Sequence, residues 1–340
     1  MPGRRATRPV RRRRPLLVAL LATLGSLTAV AAVLAVVAAT FIGGLAERYD
    51  AGRTVIEAPF PTDSRPVDHG DAVDVLLIGS DARGSDARGP DAPAGDGTTG
   101  GRADTLMLAH VPADRQDITL LSILRDTWVE VPGHGEAKIN AAYSWGGVPL
   151  TVQTVEQLLD VRIDHVAEID FAGFAGMTDA LGGVTVQSPS TFDAQGHHFT
   201  VGPDHLDGAG ALAFVRARHA FADGDHSRVR NQQAFMRAVI EQLLSEETLT
   251  SPDAVRRFVS STSEYLSVDP GLDSATVVAL GWSLRGVRAD DLHTATLPSA
   301  GSGTSADGQS YVRVDDSAVA SLTIALRSDD LQDWLRTHAG

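Results

Sequence analysis

From Leu16 to Ile42 the chain runs 27 residues without a charged side chain, and seven arginines (Arg4, Arg5, Arg8 and Arg11 to Arg14) stand just before it. At 1.5 Å per residue such a run is long enough to cross a hydrocarbon layer of ~30 Å with some tilt. The first acid, Glu47, comes only after the run. Positive charge ahead of an apolar span holds that end in the cytoplasm. The sequence therefore predicts a basic cytoplasmic arm (1–14), a transmembrane anchor (15–44) and an extracytoplasmic remainder on the cell membrane. A cleaved signal peptide is the rival reading, since the end of the run is rich in alanine. The apolar core of such a peptide covers only ~7–15 residues, so an uncleaved single-pass anchor is the better fit.

The charge balance sharpens once the arm is set aside. The rest of the chain carries 22 basic and 43 acidic side chains. An acidic body lacks the basic footprint of general nucleic-acid binding, so no nucleic-acid partner is expected. Cysteine is absent, which excludes disulfide frameworks, thiol nucleophiles and thiolate metal sites together. A single lysine, Lys138, stands against 28 arginines.

Residues 45–70 read as a polar stalk, with three prolines between 51 and 70. Beyond them Val73–Ile78, Thr105–Val111, Ile118–Ile123, Val166–Ile169 and Val184–Val186 are short apolar, β-branched runs that predict buried strands. Helical spacing appears at Thr151–Leu159 and at Phe171–Leu181, where Gly182-Gly183 provides the stop. Further helical stretches are Asp207–Arg237 (around a polar break at 219–227), Pro252–Leu266, Ser274–Leu284 and a last helix from 316, with a strand at 310–314. The mixture predicts one α/β domain over 71–332, with a central mixed sheet covered by helices, and a tail at 333–340. Residues 84–101 hold six glycines and two prolines with no large apolar side chain, a flexible loop that reads equally as a lid or an inert insertion.

No P-loop, HExxH helix or GxSxG elbow is present. The 11 histidines do not fall in metal-ligand spacing, and His197-His198 reads as an exposed turn pair. What remains is a set of charges at strand ends: Asp81 and Arg83 after the first strand, Arg102 and Asp104 opening the second, Arg125 and Asp126 closing the third. Groups just past strand ends of a covered sheet meet at one rim, where ligands of α/β folds commonly bind. Asp81 and Asp104 have the chemistry to share a hard cation such as Mg²⁺, which takes one or two carboxylates plus phosphate oxygens. Arginines beside them suit bidentate capture of phosphate; structural ion pairs are the alternative for each residue alone. A second cluster lies in 216–232. Arg216 and Arg218 share a face only if the chain is locally extended, while Asp225, Arg228 and Gln232 fall on one helix face, Asp225 also being a ready N-cap.

These segments, in this order behind one anchor, resemble the LytR-CpsA-Psr family of cell-envelope proteins. The motifs are GSDAR at 79–83, RADT at 102–105, SILRD at 122–126, KINAAY at 138–143, GGV at 182–184, HLDGAGALAFVRAR at 205–218 and DHSRVRNQQ at 225–233. The resemblance is closest over 71–245 and extends to about 330. It implies transfer of a glycopolymer from a polyprenyl-pyrophosphate carrier to peptidoglycan, as a phosphodiester on the 6-hydroxyl of N-acetylmuramic acid. It implies Mg²⁺ on Asp81 and Asp104. Arg125, Arg216 and Arg218 would act as catalytic cations, with Arg83, Arg102, Lys138, Arg228 and Gln232 around the pyrophosphate and Asp225 as base or structural residue. The isoprenoid tail would lie between sheet and helices, with Phe171, Phe174 and Met177 as lining or plain core. Two positions depart from the family pattern: Leu124 stands where the third motif has proline, implying a less rigid arginine loop, and Asn231 where an arginine often precedes the paired glutamines. A non-catalytic polyprenyl-phosphate-binding or regulatory protein, and a lipid pyrophosphatase, are the alternative readings.

Overall fold

Four of the five apolar runs read as strands pair into one sheet, while Val184–Val186 pairs apart from it with residues 204–206. The computed structural model describes residues 36, 39–63, 65–68, 70–80, 101, 103–218, 220–221, 225–243, 245, 248 and 251–338, without the side chains of 171, 172 and 225. The chain divides into two units, Met1–Glu47 and Arg48–Gly340. Of the first, residues 36 and 39–47 are described and are helical. Most of the long apolar run lies outside the described residues, and among those described no helix is long and apolar enough to cross a membrane.

In the second unit the strands are β1 (Thr54–Val55), β2 (Val73–Ser80), β3 (Ala103–Val111), β4 (Ile118–Ile123), β5 (Thr127–Val131), β6 (Gly135–Lys138), β7 (His165–Asp170), β8 (Val184–Ser188), β9 (Phe192–Ala194), β10 (His197–Phe199), β11 (Gly202–Leu206), β12 (Leu266–Val268), β13 (Leu292–Thr296), β14 (Ser299–Thr304) and β15 (Ser310–Val314). The described helices of eight or more residues are α1 (Asn140–Leu159), α2 (Phe171–Ala180), α3 (Gly208–Arg216), α4 (Asp225–Leu243), α5 (Pro252–Ser263), α6 (Ser274–Ser283), α7 (Asp316–Arg327) and α8 (Leu331–His338). The main sheet has seven strands in the order β1-β12-β7-β2-β3-β4-β13 and is mixed, with β2 antiparallel to β3 and parallel to β7. A four-stranded sheet, β14-β15-β5-β6, and two hairpin-like pairs complete the strand pairing.

Leu76, Ile78, Leu106, Leu108, Leu121, Ile123 and Val166 lie in one buried cluster with Val152, Val155 and Leu159 of α1 and Leu322 and Leu326 of α7. The period-2 alternation of these strands brings the seven onto one face of the sheet. The other side is closed by α4, whose Gln233 Nε2 donates to Ser122 Oγ (3.0 Å) in β4 and to the Ala295 carbonyl (2.8 Å) in β13. A second cluster built from α2, α3, α4 and β8–β11 buries Phe199, Phe214 and Phe235. The architecture is the expected α/β layering around a central mixed sheet.

Several boundaries differ from the sequence reading. Helix α1 starts at Asn140 rather than near 151, because Gly147 (φ 62°, ψ −152°) and Pro149 bend one long element instead of ending it. The stretch read as a stalk is part of the folded body. β1 pairs in parallel with β12, Ile56 and Phe60 pack on the core, and Arg65 meets the buried Glu156 carboxylate at 2.5 Å. A carboxylate buried that deeply needs a cation, and Arg65 supplies it from a segment whose composition resembles a linker. At the other end, the helix from 316 is two helices, and α8 replaces the expected tail, with Leu331, Trp334 and Leu335 joining the core. His197-His198 forms strand β10 rather than a turn, directly after the left-handed pair Gln195 and Gly196.

Candidate functional site

Parallel β2, β7, β4 and β13 and antiparallel β3 bring one end of the sheet together. The C-terminal residues Ser80, Asp170, Ile123 and Thr296 meet the N-terminal Ala103 and Asp104 there. Gly79 is required at this rim, since a Cβ on it would sit 2.9 Å from Thr105 Cβ on the neighbouring strand. Asp81, Arg83, Arg102 and almost all of the 84–101 loop lie outside the described residues; Ser80 and Ala103 mark where the chain leaves and re-enters the rim.

The described charges form a chain of alternating sign. Arg125 Nη1 is 2.5 Å from Asp104 Oδ1, Arg125 Nε is 3.9 Å from Asp126 Oδ2, and Lys138 Nζ is 3.2 Å from Asp126 Oδ1. All four side chains are largely buried. The loop that carries Arg125 is fixed from both sides: Thr127 N donates to the Leu124 carbonyl (2.9 Å) and Asn140 N to the Arg125 carbonyl (3.2 Å). Leu124, at the position where proline is expected, is buried against Val229 of α4 and Val312 of β15. Apolar packing thus anchors the loop where a rigid ring was anticipated.

The second cluster adjoins the first through α4. Val229 rests on Leu124, and one turn later Gln233 bonds the strand ends at Ser122 and Thr296 Oγ1 (3.2 Å). Arg228 and Gln232 are 5% and 4% exposed, so both side chains are turned inward. Arg230 is exposed and donates to Ser227 Oγ (2.6 Å), on a different face from Arg228. Asn231 is fully buried, and its Nδ2 donates to the Phe214 carbonyl (3.2 Å) at the end of α3. There α3 stops: Ala217 turns extended (ψ 119°) and is buried, between exposed Arg216 and Arg218. Ala217 is thus an extended residue between the two arginines.

Sequence reasoning missed Glu168 and Tyr143 as a pair. Glu168 is register partner to Ile78, and Tyr143 Oη donates to its Oε1 at 2.5 Å. Ser144 Oγ, next along α1, donates to the Gly101 carbonyl (3.1 Å), tying α1 to the segment that leads into β3. Glu168 stands among apolar strand residues, which was the available signal. Phe174 stacks on Phe235 (centroids 4.6 Å apart) and Met177 is buried in the same cluster, so both pack the helical layer; the Phe171 side chain lies outside the description. Among the described residues no group of three or more His, Asp or Glu side chains is arranged to hold a metal ion.

Comparison with known proteins adds identity to this geometry. The sequence model of the LytR_cpsA_psr family matches residues 47–328. A curated relative from Enterococcus faecalis, polyisoprenyl-teichoic acid–peptidoglycan teichoic acid transferase TagU, is 35% identical over 220 residues, 64% of this chain and 69% of the relative. Its namesake from Bacillus cereus is 34% identical over 264 residues, 77% of this chain and 80% of the relative. Among solved structures, B. subtilis TagV superposes with a TM-score of 0.62 at 26% identity, covering 77% of this chain and 98% of that one. TagT bound to LI-WTA superposes with a TM-score of 0.60 at 25% identity, covering 82% and 99%.

Proposed function

The chain belongs to the LytR-CpsA-Psr family, and from that premise we propose that it is a membrane-anchored glycopolymer phosphotransferase. It takes a polyprenyl-pyrophosphate-linked glycopolymer as donor and peptidoglycan as acceptor. The acceptor hydroxyl oxygen attacks the sugar-side phosphorus, the bond to the polyprenyl-phosphate oxygen breaks, and the hydroxyl proton is lost. The products are a phosphodiester and free polyprenyl phosphate. The observation that carries this reading is the charge chain Asp104–Arg125–Asp126–Lys138, locked at the sheet rim beside the inward-facing Arg228 and Gln232 of α4.

Phosphoryl transfer needs positioning and neutralisation of charge on the leaving group. Arg125 is presented in a fixed orientation, because one end of its guanidinium rests on Asp104. A planar, oriented fork binds phosphate oxygens without reorganising at the moment of reaction. Arg216 and Arg218 extend the cationic surface on the solvent side, and Arg83 and Arg102 belong to segments that start and end at the same rim. Asp225 opens α4 and serves as base or cap.

The donor chemistry at Asp104 fits a hard divalent cation. Its half-buried carboxylate at a strand end has one oxygen on Arg125, and Mg²⁺ needs only one or two carboxylates when phosphate oxygens fill its shell. Asp104 and Asp81 would hold it. When bound, the ion neutralises charge on the transferring phosphoryl group.

The test is a reconstitution with the full-length chain, a synthetic polyprenyl-pyrophosphate sugar, peptidoglycan oligomers and Mg²⁺, with products read by mass spectrometry. Joined sugar and polyprenyl phosphate in equal amounts are expected. Phosphate-terminated sugar formed without acceptor would make it a lipid pyrophosphatase, and tight donor binding without turnover would make it a binding protein.

A further inference from the structure

Helix α6, Ser274–Ser283, reads SATVVALGWS: it contains no charged residue, and none of its residues is buried. Its outward arc carries Val277, Val278 and Trp282, which are 38%, 43% and 70% exposed. A helix on the surface of a soluble body turns charged or polar residues outward, and a contiguous exposed apolar arc marks a contact with something else.

Two features indicate what that is. At its start, α6 is bound to the chain that follows the apolar run. Tyr49 Oη donates to the Leu272 carbonyl (2.9 Å), Arg53 Nη1 to the same carbonyl (3.2 Å), and Ser274 N and Oγ both donate to Asp50. Seven peptide steps separate Ile42 from Tyr49, a span of at most about 25 Å when fully extended. The foot of α6 is therefore tied to a segment only seven residues beyond the apolar run in the sequence. At its far end, Trp282 is followed by exposed Arg285, whose guanidinium lies 5.2 Å from the indole centroid, and by exposed Arg288. Tryptophan beside arginine at the edge of an apolar face is the composition of a membrane-surface element, with the ring at headgroup depth and the cation on lipid phosphate.

We propose that α6 is an interfacial element that seats the extracytoplasmic domain on the outer surface of the bilayer through Val277, Val278 and Trp282. The inference rests on the membrane-anchor reading. It also orients the domain. Helix α6 follows β12, which ends beside His165 at the start of β7, whereas the candidate site lies at the other end of β7. The candidate site is thereby held at the end of the sheet away from α6 and the lipid.

The chain has no cysteine, so single labels are clean. Full-length Val278→Cys, Trp282→Cys, Glu136→Cys and Val30→Cys carry a bimane fluorophore in vesicles of phosphatidylcholine and phosphatidylglycerol containing nitroxide-labelled lipid. Glu136, exposed on the strand that ends in Lys138, is the reference. Labels at 278 and 282 should be quenched several-fold more than the label at 136. Quenching at 30 but none above the reference at 278 and 282 overturns the seating and leaves the anchor standing. Quenching at 278 and 282 but not at 30 removes the anchor and keeps the seating, and no quenching at any of the three removes both. A blue-shifted emission at 282 that lipid nitroxide does not quench means a protein covers the helix, which also overturns the proposal.

Discussion

Arg125 is both a candidate phosphate ligand and the partner of Asp104, and this double role changes how its variants read. Arg125→Ala leaves a half-buried carboxylate without its guanidinium, so stability falls together with activity. Melting temperature alone therefore does not separate clamp from scaffold at this position. Arg216 and Arg218 are exposed, where substitutions alter stability by only about ±0.5 kcal/mol. For Arg216→Ala and Arg218→Ala we expect an unchanged melting temperature and transfer rates down about 10²-fold, the loss of a transition-state charge contact of ~3 kcal/mol. Lysine at either position should restore part of the rate, since it keeps the charge without the fork. A lower melting temperature with an unchanged rate per folded molecule would make both arginines scaffold. Asn231 lies one step removed, bonded to the end of α3 at the Phe214 carbonyl. Asn231→Ala strips the buried Phe214 carbonyl of a donor and should cost ~1–3 kcal/mol in urea unfolding. If it positions the arginines, kcat for the remaining folded protein falls as well, with little change in donor affinity.

Helix α4 connects the two halves of the site. Its Val229 packs on Leu124 beneath the Arg125 loop, and its Gln233 clips β4 to β13. Leu124→Ala empties a fully buried side chain and should lose ~2–4 kcal/mol of stability. Transfer should drop too, because the loop loses its contact with the helix that carries Arg228 and Gln232. Gln233→Ala removes one donor from three acceptors and should destabilise by ~1–3 kcal/mol. Urea midpoints and rates on both variants check this; full transfer activity in Leu124→Ala at temperatures where it remains folded would show that the loop holds itself.

At the scale of the whole molecule, two histidines at the sheet end opposite the site couple stability to pH. His110 is buried with Nδ1 2.9 Å from Asp74 and Nε2 3.3 Å from Asp329, the latter in the turn between α7 and α8. Burial pulls its pKa down, but the Asp74 hydrogen bond and the charges of Asp74 and Asp329 outweigh it and hold it above the ordinary histidine value. His165 is likewise raised, chiefly by its hydrogen bond to Asp269. A pKa higher in the folded than in the unfolded state stabilises fully below the unfolded value, and that stability is lost as pH rises through the folded value. Unfolding midpoints should therefore decline from about pH 6.5 upward, and His110→Gln should flatten the decline. A midpoint that rises over the same interval would show both histidines buried neutral.

Much of this protein is dictated locally. The apolar runs of β2, β3 and β4 have the period of strands and became strands, because a covered sheet rewards the same alternation everywhere. Arg125, Lys138, Arg216 and Arg218 stand out as candidates in the sequence because they gather at strand and helix ends. Other features depend on pairs distant in sequence, which no local pattern encodes. Arg65 looks like linker until Glu156, buried beneath it, requires a cation. Leu124 looks like a defect in a motif until Val229 and Val312 close over it. Glu168 gains a role only when α1 lays Tyr143 against β7. The sequence by itself determined the layers, the rim and the charges available to it. Tertiary structure decided which carboxylate each cation meets, because burial makes an unpartnered charge costly and only the folded chain settles which charges are buried.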